Sequence, residues 1–466
     1  MRVDPPPAGS PLRDLVVVGG GLSGLSLAHF ARSEAGVEDV TVLEAAPRPG
    51  GKIESRWVDG FCCEWGPQGF LDNAPDTLAL VRQLGLASSL VRADPAAKER
   101  FIVRDNVLRS VPASPLAFLA SSALSLPGRL RVLLEPFAGR GEEEESVLTF
   151  ARRRIGREAA EVLVDAMVTG VFAGDPARLS LPATFPLMRR MEAEHGSLVR
   201  AMLAGVRRRR RGTVGGPMGP AGTLTTFAGG MQQLVDALAA TLAARLRCNA
   251  PVLRVHRTDQ GFAVTLGSGE TLLARRVAVA VPPGAARRLL APVLPPEAAA
   301  ALDGIPTVPV AVVMTGYATP RPFAHLTRGF GFLVPGREGS RVLGSIFCHS
   351  VFPHEAPAGR AFLRTLVGGA RRSELAALDD DALLALVREE LDRLLGGDPE
   401  PTMVRIVRHR EAIPQYTLGH RHRLAVLQRA VEQVPGLELL GNGYRGIAAN
   451  ACIADARTLA GRLRSP

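Results

Sequence analysis

The stretch Leu15-Val-Val-Val-Gly-Gly-Gly-Leu-Ser-Gly24 decides the fold class. An apolar strand stops at Gly19, and Gly19, Gly21 and Gly24 take the first, third and sixth places of a G-x-G-x-x-G, with Gly20, Leu22 and Ser23 between them. A helical pattern follows. The first glycine permits a tight turn, the second lets backbone approach a pyrophosphate, and the third lets helix and strand pack closely. The helix start adds unpaired N–H groups and a partial positive charge for phosphates. Twenty residues after Gly24, a second apolar run, Asp39-Val-Thr-Val-Leu-Glu44, ends in a carboxylate. Glu44 at a strand tip can accept from both ribose hydroxyls and would repel a 2′-phosphate, which favours FAD or NAD over NADP. An α/β Rossmann-like domain is the expected fold.

The 466 residues suffice for two or three domains with sizeable cores. With 46% hydrophobic and 22% charged residues the composition is globular, and no apolar run reaches the length of a bilayer span. The proline-rich start, Met1-Arg-Val-Asp-Pro-Pro-Pro7, lacks the apolar core of an export signal, so a cytoplasmic protein is expected. Cys62, Cys63, Cys248, Cys348 and Cys452 show no C-x-x-C spacing, which indicates neither a zinc site nor a disulfide framework. The net charge of +11 comes almost entirely from arginine, Lys52 and Lys98 being the only lysines. The arginines are dispersed through amphipathic segments, a bias of composition rather than a nucleic-acid footprint. A basic surface still suits an anionic membrane face.

Beyond Glu44 lie two clusters of small residues, Pro47-Arg-Pro-Gly-Gly51 and Gly66-Pro-Gln-Gly69, the first followed by Lys52. They suit backbone lying against the rest of a long cofactor. Residues 75–92 read as a helix and residues 98–109 as a hairpin turning at Asp105-Asn106. Between 115 and 211 the pattern is helical, over Leu116–Leu124, Leu130–Phe137 and Val147–Val168, with an acidic loop at Glu142–Glu145 and a basic helix end at Arg207–Arg211. Val214–Gly222 reads as a linker. Phe227 onward begins a long helix. Strands are expected at Val252–Val255 and Phe262–Leu266, in Arg276–Val281 to complete the cofactor sheet, and at Val308–Val313, Gly329–Val334 and Val342–Phe347, with a helix over Asp379–Leu395. Leu437-Glu-Leu-Leu-Gly-Asn-Gly443 repeats the opening logic, and a helix from about Ala449 to Leu463 would favour negative charge on a flavin's pyrimidine edge. An NAD dehydrogenase has no need of the second loop or of this return.

The pairing of G-x-G-x-x-G with a downstream R-x-G-G resembles the two-dinucleotide-binding flavoproteins of the amine oxidase superfamily. Thr169-Gly-Val-Phe-Ala-Gly-Asp175, Leu179-Ser180 with Phe185-Pro186, Gly329-Phe-Gly-Phe-Leu-Val-Pro335, Ile413-Pro-Gln-Tyr-Thr-Leu-Gly-His420 and Gly441-Asn-Gly-Tyr-Arg-Gly446 together resemble the oxygen-dependent protoporphyrinogen oxidases, from residue 14 to about 463. The resemblance implies FAD as cofactor, protoporphyrinogen IX as a substrate giving up six electrons, and molecular oxygen as acceptor with hydrogen peroxide released. It implies FAD contacts at Gly19–Gly24, Glu44, Gly51, Lys52, Gly66, Pro67, Gln68, Gly69, Val252, Asn442, Ile447, Ala448 and Ala449. For the substrate it implies Arg100 against a propionate, Leu333, Ile346 and Leu366 around the tetrapyrrole, and Gly170, Ala173 and Gln68 at the cavity. Ala451 stands where the family has aspartate in an Asn-Asp-Cys signature, which removes a hydrogen bond near the flavin. The domains then read as a disordered tail (1–13), three FAD-binding parts (14–92, 223–290, 421–466), two substrate-domain parts with a mixed sheet (93–114, 291–420), an inserted membrane-associating helical domain (115–211) and a linker (212–222).

No Ser-His-Asp arrangement, no H-E-x-x-H and no metal-ligand spacing is present. A porphyrinogen methylene lies between electron-rich pyrroles that stabilise the cation left by hydride departure and shed their own proton, so positioning and flavin tuning suffice. Three tyrosines and two tryptophans in the whole chain argue against the aromatic cage of an amine oxidase. Coproporphyrinogen III is the alternative substrate, separated by whether the cavity holds a further basic group. A non-enzymatic reading, the lipid-binding chaperones of the Rab escort and GDP-dissociation-inhibitor type on the same scaffold, does not need the full flavin site. The resemblance also implies peripheral attachment to the cytoplasmic face of the membrane and allows a homodimer.

Overall fold

The structure is a computed structural model and describes residues 11–111, 121–209, 222–319, 328–397 and 399–464. Two large sheets carry it. In the first, Leu12–Val18 pairs in parallel with Val40–Leu43 on one side and Thr271–Val279 on the other. Leu246–Arg247 extends one edge in parallel, and Gly261–Leu266 and Val252–Thr258 extend the other as an antiparallel meander. Leu437–Leu439 pairs with the end of Thr271–Val279, so the start, middle and end of the chain share one seven-stranded sheet. A parallel strand covered on both faces is apolar throughout rather than alternating, as Leu15–Val18 is. Helices Leu22–Ser33, Gln232–Leu242 and Ala449–Arg462 pack on one face, and Pro283–Leu289, Pro296–Asp303 and His420–Glu432 on the other.

The second seven-stranded sheet runs in the order Met403–Pro414, Thr307–Tyr317, Ala361–Gly368, Val342–Phe347, Gly331–Leu333, Arg100–Arg104 and Val107–Ser110. Helix Asp380–Leu395, capped by the Asp379 side chain on the Ala382 amide, covers one face. The opposite face meets Phe61 and Cys63 of the short strand Phe61–Glu64, which pairs with Ser55–Val58. The hairpin turns at Asp105-Asn106 with φ of +51° and +61°, the paired left-handed conformation of a two-residue turn. The helices between 126 and 209 lie in sequence between this hairpin and Leu224–Phe227.

Several expected elements differ. The first strand begins at Leu12, because Leu12 and Arg13 already pair with Leu273 and Ala274, so the tail expected over 1–13 is too long. The helix expected over 75–92 ends at Gln83; Gly85 turns the chain at φ +71°, and Leu90–Arg92 becomes a strand against Leu224–Phe227. Phe227 ends that strand, and the helix starts only at Gln232, after Gly230 at φ +82°. The span Val147–Val168 is no single helix: Gly156 breaks it at φ +88°, a π-helical turn covers Ala160–Val164, and Asp165–Phe172 continues to a left-handed Ala173. The helix expected over Leu130–Phe137 runs from Leu126 to Leu133 and passes into a 3-10 turn holding Pro136. Ala361–Gly368 and Met403–Pro414 were not expected as strands, their alternation being broken by Arg364 and by runs of arginine and histidine. Residues 116–120 of the expected Leu116–Leu124 helix, Arg210–Arg211 and most of the Val214–Gly222 linker lie outside the described residues.

Candidate functional site

The G-x-G-x-x-G loop is built as its spacing requires. Gly19 has φ +106°, and a methyl there would fall 2.6 Å from the Ala280 carbonyl oxygen; one on Gly24 would fall 2.0 Å from the Gly19 carbonyl oxygen. These two glycines are demanded by the protein itself. Gly21 differs: its nearest neighbour for an added methyl is Gly51 Cα at 4.0 Å. Helix Leu22–Ser33 starts from Gly21 with no side-chain cap and no acid in its first turn, leaving its amides and partial positive charge to a ligand. Leu22 and Ser23 are buried in that turn.

Glu44 accepts from the Gly20 amide at 2.7 Å and from the Ala46 amide at 2.8 Å, which fixes the carboxylate at the strand tip with lone pairs left over. The Glu44 carbonyl accepts from Ala250, two residues before Val252, so the expected adenine and ribose contacts lie together. The Gly50 amide donates to the Gly20 carbonyl at 2.7 Å, bringing the second glycine pair onto the first. Lys52 Nζ donates to the Ala412 carbonyl at 2.6 Å, and burial lowers its pKa, opposed by Glu411. Gly66 lies against the Lys52 carbonyl and Gly69 against the Thr225 carbonyl, at 2.3 and 2.5 Å from an added methyl, with Pro67 half-buried between them.

The third part is the loop before helix Ala449–Arg462, another start with no side-chain cap, at Ala448. Tyr416 ties this loop: its hydroxyl donates to the Asn442 carbonyl at 2.6 Å and accepts from the Gly446 amide at 2.8 Å. Its ring stacks on His420, 4.1 Å between centroids, whose Nε2 meets the Tyr444 carbonyl at 3.1 Å; burial pushes the His420 pKa down to about 4. Asn450 accepts from Thr77 Oγ1 and donates to the Leu71 carbonyl. Ala451 packs against Gly446, where a methyl would fall 2.5 Å from its Cβ. Ile447 packs among Phe150, Val168 and Phe172 of the helical block.

The expected substrate residues share one face of the second sheet. Gly331 is opposite both Arg100 and Ile346, Leu333 is opposite Gly344, and Gly344 is opposite Leu366. Alternation along each strand then puts Arg100, Leu333, Ile346 and Leu366 on the same side. Leu333, Ile346 and Leu366 are partly open, unlike Phe332, Phe347 and Val367 on the other side. Helix Asp165–Phe172 borders this face: a methyl on Gly170 would fall 2.5 Å from Leu333 Cδ2, and the Ala173 carbonyl accepts from Ala370 at 2.8 Å. Arg100 is exposed at the edge, its guanidinium 5.4 Å from the Phe330 ring centroid.

A buried polar cluster that the sequence reading missed lies between this face and the cofactor loops. Arg364, opposite Ile346 on the same face, donates through Nε to the Glu64 carbonyl at 3.2 Å and through Nη2 to the Gly66 carbonyl. Glu64 accepts from Ser55 Oγ at 2.9 Å and the Met231 amide at 2.7 Å. Burial pushes its carboxyl up to about 7 against the pull of those donors and of Arg364. Glu355 is driven well above the usual carboxylate range by burial and by the charge of Glu64. Arg364, a charge inside the apolar run Ala361–Gly368, was the one signal available. His349 and His409 are tied to the Phe362 and Trp65 backbones and have pKa values lowered by burial. Among the described residues no three His, Cys, Asp or Glu side chains gather as a metal site.

An α/β sheet with an acidic ribose site, two glycine clusters and a returning helix defines a flavoprotein of the two-dinucleotide-binding class. The sequence profile of flavin-containing amine oxidoreductases matches residues 22–464, and the chain belongs to that family. It is 33% identical to the chloroplastic protoporphyrinogen oxidase of Oryza sativa over 95% of this chain and 86% of that protein, and 33% identical to protoporphyrinogen oxidase of Homo sapiens over 96% and 98%. It is 28% identical to coproporphyrinogen III oxidase of Bacillus subtilis over 95% and 96%. A solved Exiguobacterium structure, proposed as a protoporphyrinogen oxidase, superposes with a TM-score of 0.83 at 26% identity over 98% and 99% of the two chains. The chain is an FAD-dependent oxidoreductase.

Proposed function

We propose that this flavoprotein oxidises protoporphyrinogen IX to protoporphyrin IX with molecular oxygen, as a step in porphyrin biosynthesis. One observation carries the reading: Arg100, Leu333, Ile346 and Leu366 share a sheet face bordered by Gly170 and Ala173, an apolar slot with a cation at its edge. FAD held there would supply the hydride acceptor and the route for electrons to oxygen, with hydrogen peroxide as the co-product. The residues fit it, since Gly21 leaves room no side chain fills and Glu44 keeps lone pairs for ribose. The chain's own work is placement. Leu333, Ile346 and Leu366 exclude water from the macrocycle, and Arg100 offers a two-pronged donor to a propionate. With the pyrroles supplying their own electrons and protons, no side-chain base is required.

Coproporphyrinogen III is the second reading, favoured by the likeness to coproporphyrinogen III oxidase of Bacillus subtilis along nearly the whole chain. Oxygen uptake and porphyrin fluorescence, measured with each porphyrinogen on the FAD-loaded enzyme, decide between them. Activity on neither sinks both readings. The surface of helix Leu126–Leu133 and its 3-10 turn supports peripheral membrane contact: Leu126, Leu130, Leu133, Leu134 and Phe137 recur at helical spacing, and Phe137 is 80% exposed. Among the described residues no helix is long and apolar enough to cross a membrane. Sedimentation with anionic vesicles, lost when Leu130 and Phe137 become serine, is the expected result; equal sedimentation of both proteins would refute the contact.

A further inference from the structure

Gln68 is held from both ends of its carboxamide. Its Nε2 donates to Glu355 Oε2 at 2.6 Å, and its Oε1 accepts from Cys348 Sγ at 3.8 Å. The three come from separate elements: the loop after Phe61–Glu64, the 3-10 turn Pro353–Glu355 and the helical turn Cys348–Val351. All three are buried, Glu355 completely. Cys348 Sγ also lies 3.9 Å from the carbonyl of Ile346, one of the side chains on the substrate face. The amide oxygen of Gln68 therefore faces Cys348, beside the strand that carries Ile346, and its nitrogen faces Glu355.

Burying a carboxylate is expensive, and Glu355 meets no cation within ion-pair distance among the described residues. Its Oε1 is buried with no hydrogen-bond partner. Arg364 and Glu64 act on it only as neighbouring charges. As a tie between the loop and the sheet Glu355 is a poor choice, since Arg364 already makes that tie through the Glu64 and Gly66 carbonyls. What Glu355 adds is direction. An amide flips at no steric cost, and here a Glu355 oxygen accepts from its nitrogen while the Cys348 thiol donates to its oxygen, which together select one rotamer.

We propose that Glu355 is a positioning residue: it holds the Gln68 carboxamide with its oxygen toward the substrate face, where that oxygen accepts from a pyrrole N–H and fixes the tilt of the macrocycle. This inference rests on the porphyrinogen reading. A porphyrinogen presents N–H donors at its centre and no strong acceptor there, so the wrong amide rotamer would oppose donor to donor. The correct one adds an acceptor that matters most once the ring is seated for hydride departure, so its loss acts on kcat more than on KM.

The test uses FAD-loaded enzyme and whichever porphyrinogen the wild type oxidises. Glu355→Ala is expected to lower kcat about tenfold with KM changed less than about twofold, and flavin content unchanged. Glu355→Gln, whose amide oxygen can still accept from Nε2, is expected to recover to within about threefold of wild type. In a Gln68→Ala background, Glu355→Ala should have no further effect on kcat. Should the alanine variant fail to fold, Glu355→Met, similar in volume and without an acceptor, takes its place. Independent effects of the two sites on kcat, or a Glu355→Gln variant no better than alanine, overturn the proposal. A wild type inert toward every porphyrinogen refutes the oxidation reading, and the pyrrole contact falls with it.

Discussion

Gly21 and Gly51 face each other across the cofactor end of the first sheet. A methyl added to Gly51 would lie 3.3 Å from Gly21 Cα, and one added to Gly21 would meet nothing nearer than Gly51 Cα at 4.0 Å. Gly24, three residues on, is enclosed instead, with the Gly19 carbonyl oxygen 2.0 Å from an added methyl. The space at Gly21 is kept for a ligand and that at Gly24 is already filled by protein.

The two alanine variants should separate these demands. Gly21→Ala is expected to leave the melting of FAD-free protein unchanged while weakening FAD binding about a hundredfold, ~2.7 kcal/mol. Gly24→Ala forces the helix from the strand and is expected to cost ~3 kcal/mol or more of stability. Thermal melts with and without FAD, with flavin content from absorbance, check both. An unstable FAD-free Gly21→Ala would show that protein contacts, not the cofactor, require that glycine.

Glu64 gives a stability signal with a defined sign. Its carboxyl sits at about 7 in the fold against an ordinary 4.5, with burial the leading cause. A raised carboxyl pKa means its contribution is fully present below about 4.5 and is lost as pH rises through about 7. The difference corresponds to something on the order of 3 kcal/mol at most. Glu64→Gln keeps an acceptor for the Met231 amide and Ser55 hydroxyl without the charge. Denaturant unfolding across pH 4.5–8 should show its stability gaining on wild type as pH rises, and parallel curves would refute the shift.

Much of this was legible in the chain because it rests on backbone. The Gly19–Gly24 turn, the Glu44 carboxylate and the strand and helix at 437–462 follow from residue types that permit or forbid a backbone path, and each falls where expected. The common face of Arg100, Leu333, Ile346 and Leu366 could not be read from spacing, since four strands distant in sequence set it through their register. The helix ends at Gln83 and Ile155 went unread because Gly85 and Gly156 act through their left-handed conformation, which a helical apolar pattern masks. Glu355 and Gln68 are 287 residues apart, and nothing in His354-Glu355-Ala356-Pro357 marks a fully buried carboxylate. Tyr416 stands within the Ile413–His420 motif, but its hold on the Asn442–Gly446 loop appears only in three dimensions.

Gly170 gives a test of the slot itself. Its missing side chain is what lets Leu333 Cδ2 stand 2.5 Å from where a methyl would be. The obstructed atoms are the end of a flexible side chain, so Gly170→Ala should fold and shift Leu333 along the substrate face. KM for the porphyrinogen is expected to rise about fivefold, with flavin content and FAD affinity unchanged. Adding Leu333→Ala to that background should restore part of the loss, because it removes the group being pushed. No interaction between the two substitutions would separate Gly170 from the slot.

Arg100 tests the edge of the same face. Its guanidinium lies over the Phe330 ring at 5.4 Å and is exposed, so it contributes little to the fold and its removal should leave melting within about 0.5 kcal/mol of wild type. A propionate is far from the methylene that reacts, and a contact made equally before and during the reaction changes binding rather than turnover. Arg100→Ala is therefore expected to raise KM about tenfold with kcat within about twofold, and Arg100→Lys to fall between, since an ammonium keeps the charge and loses the paired hydrogen bonds. Because the contact is charged and exposed, the wild-type KM should rise with salt and that of Arg100→Ala should respond less. Steady-state rates at low and high ionic strength check all three. A collapsed kcat at unchanged KM would mean that Arg100 acts on the reacting bond and not on a distant carboxylate.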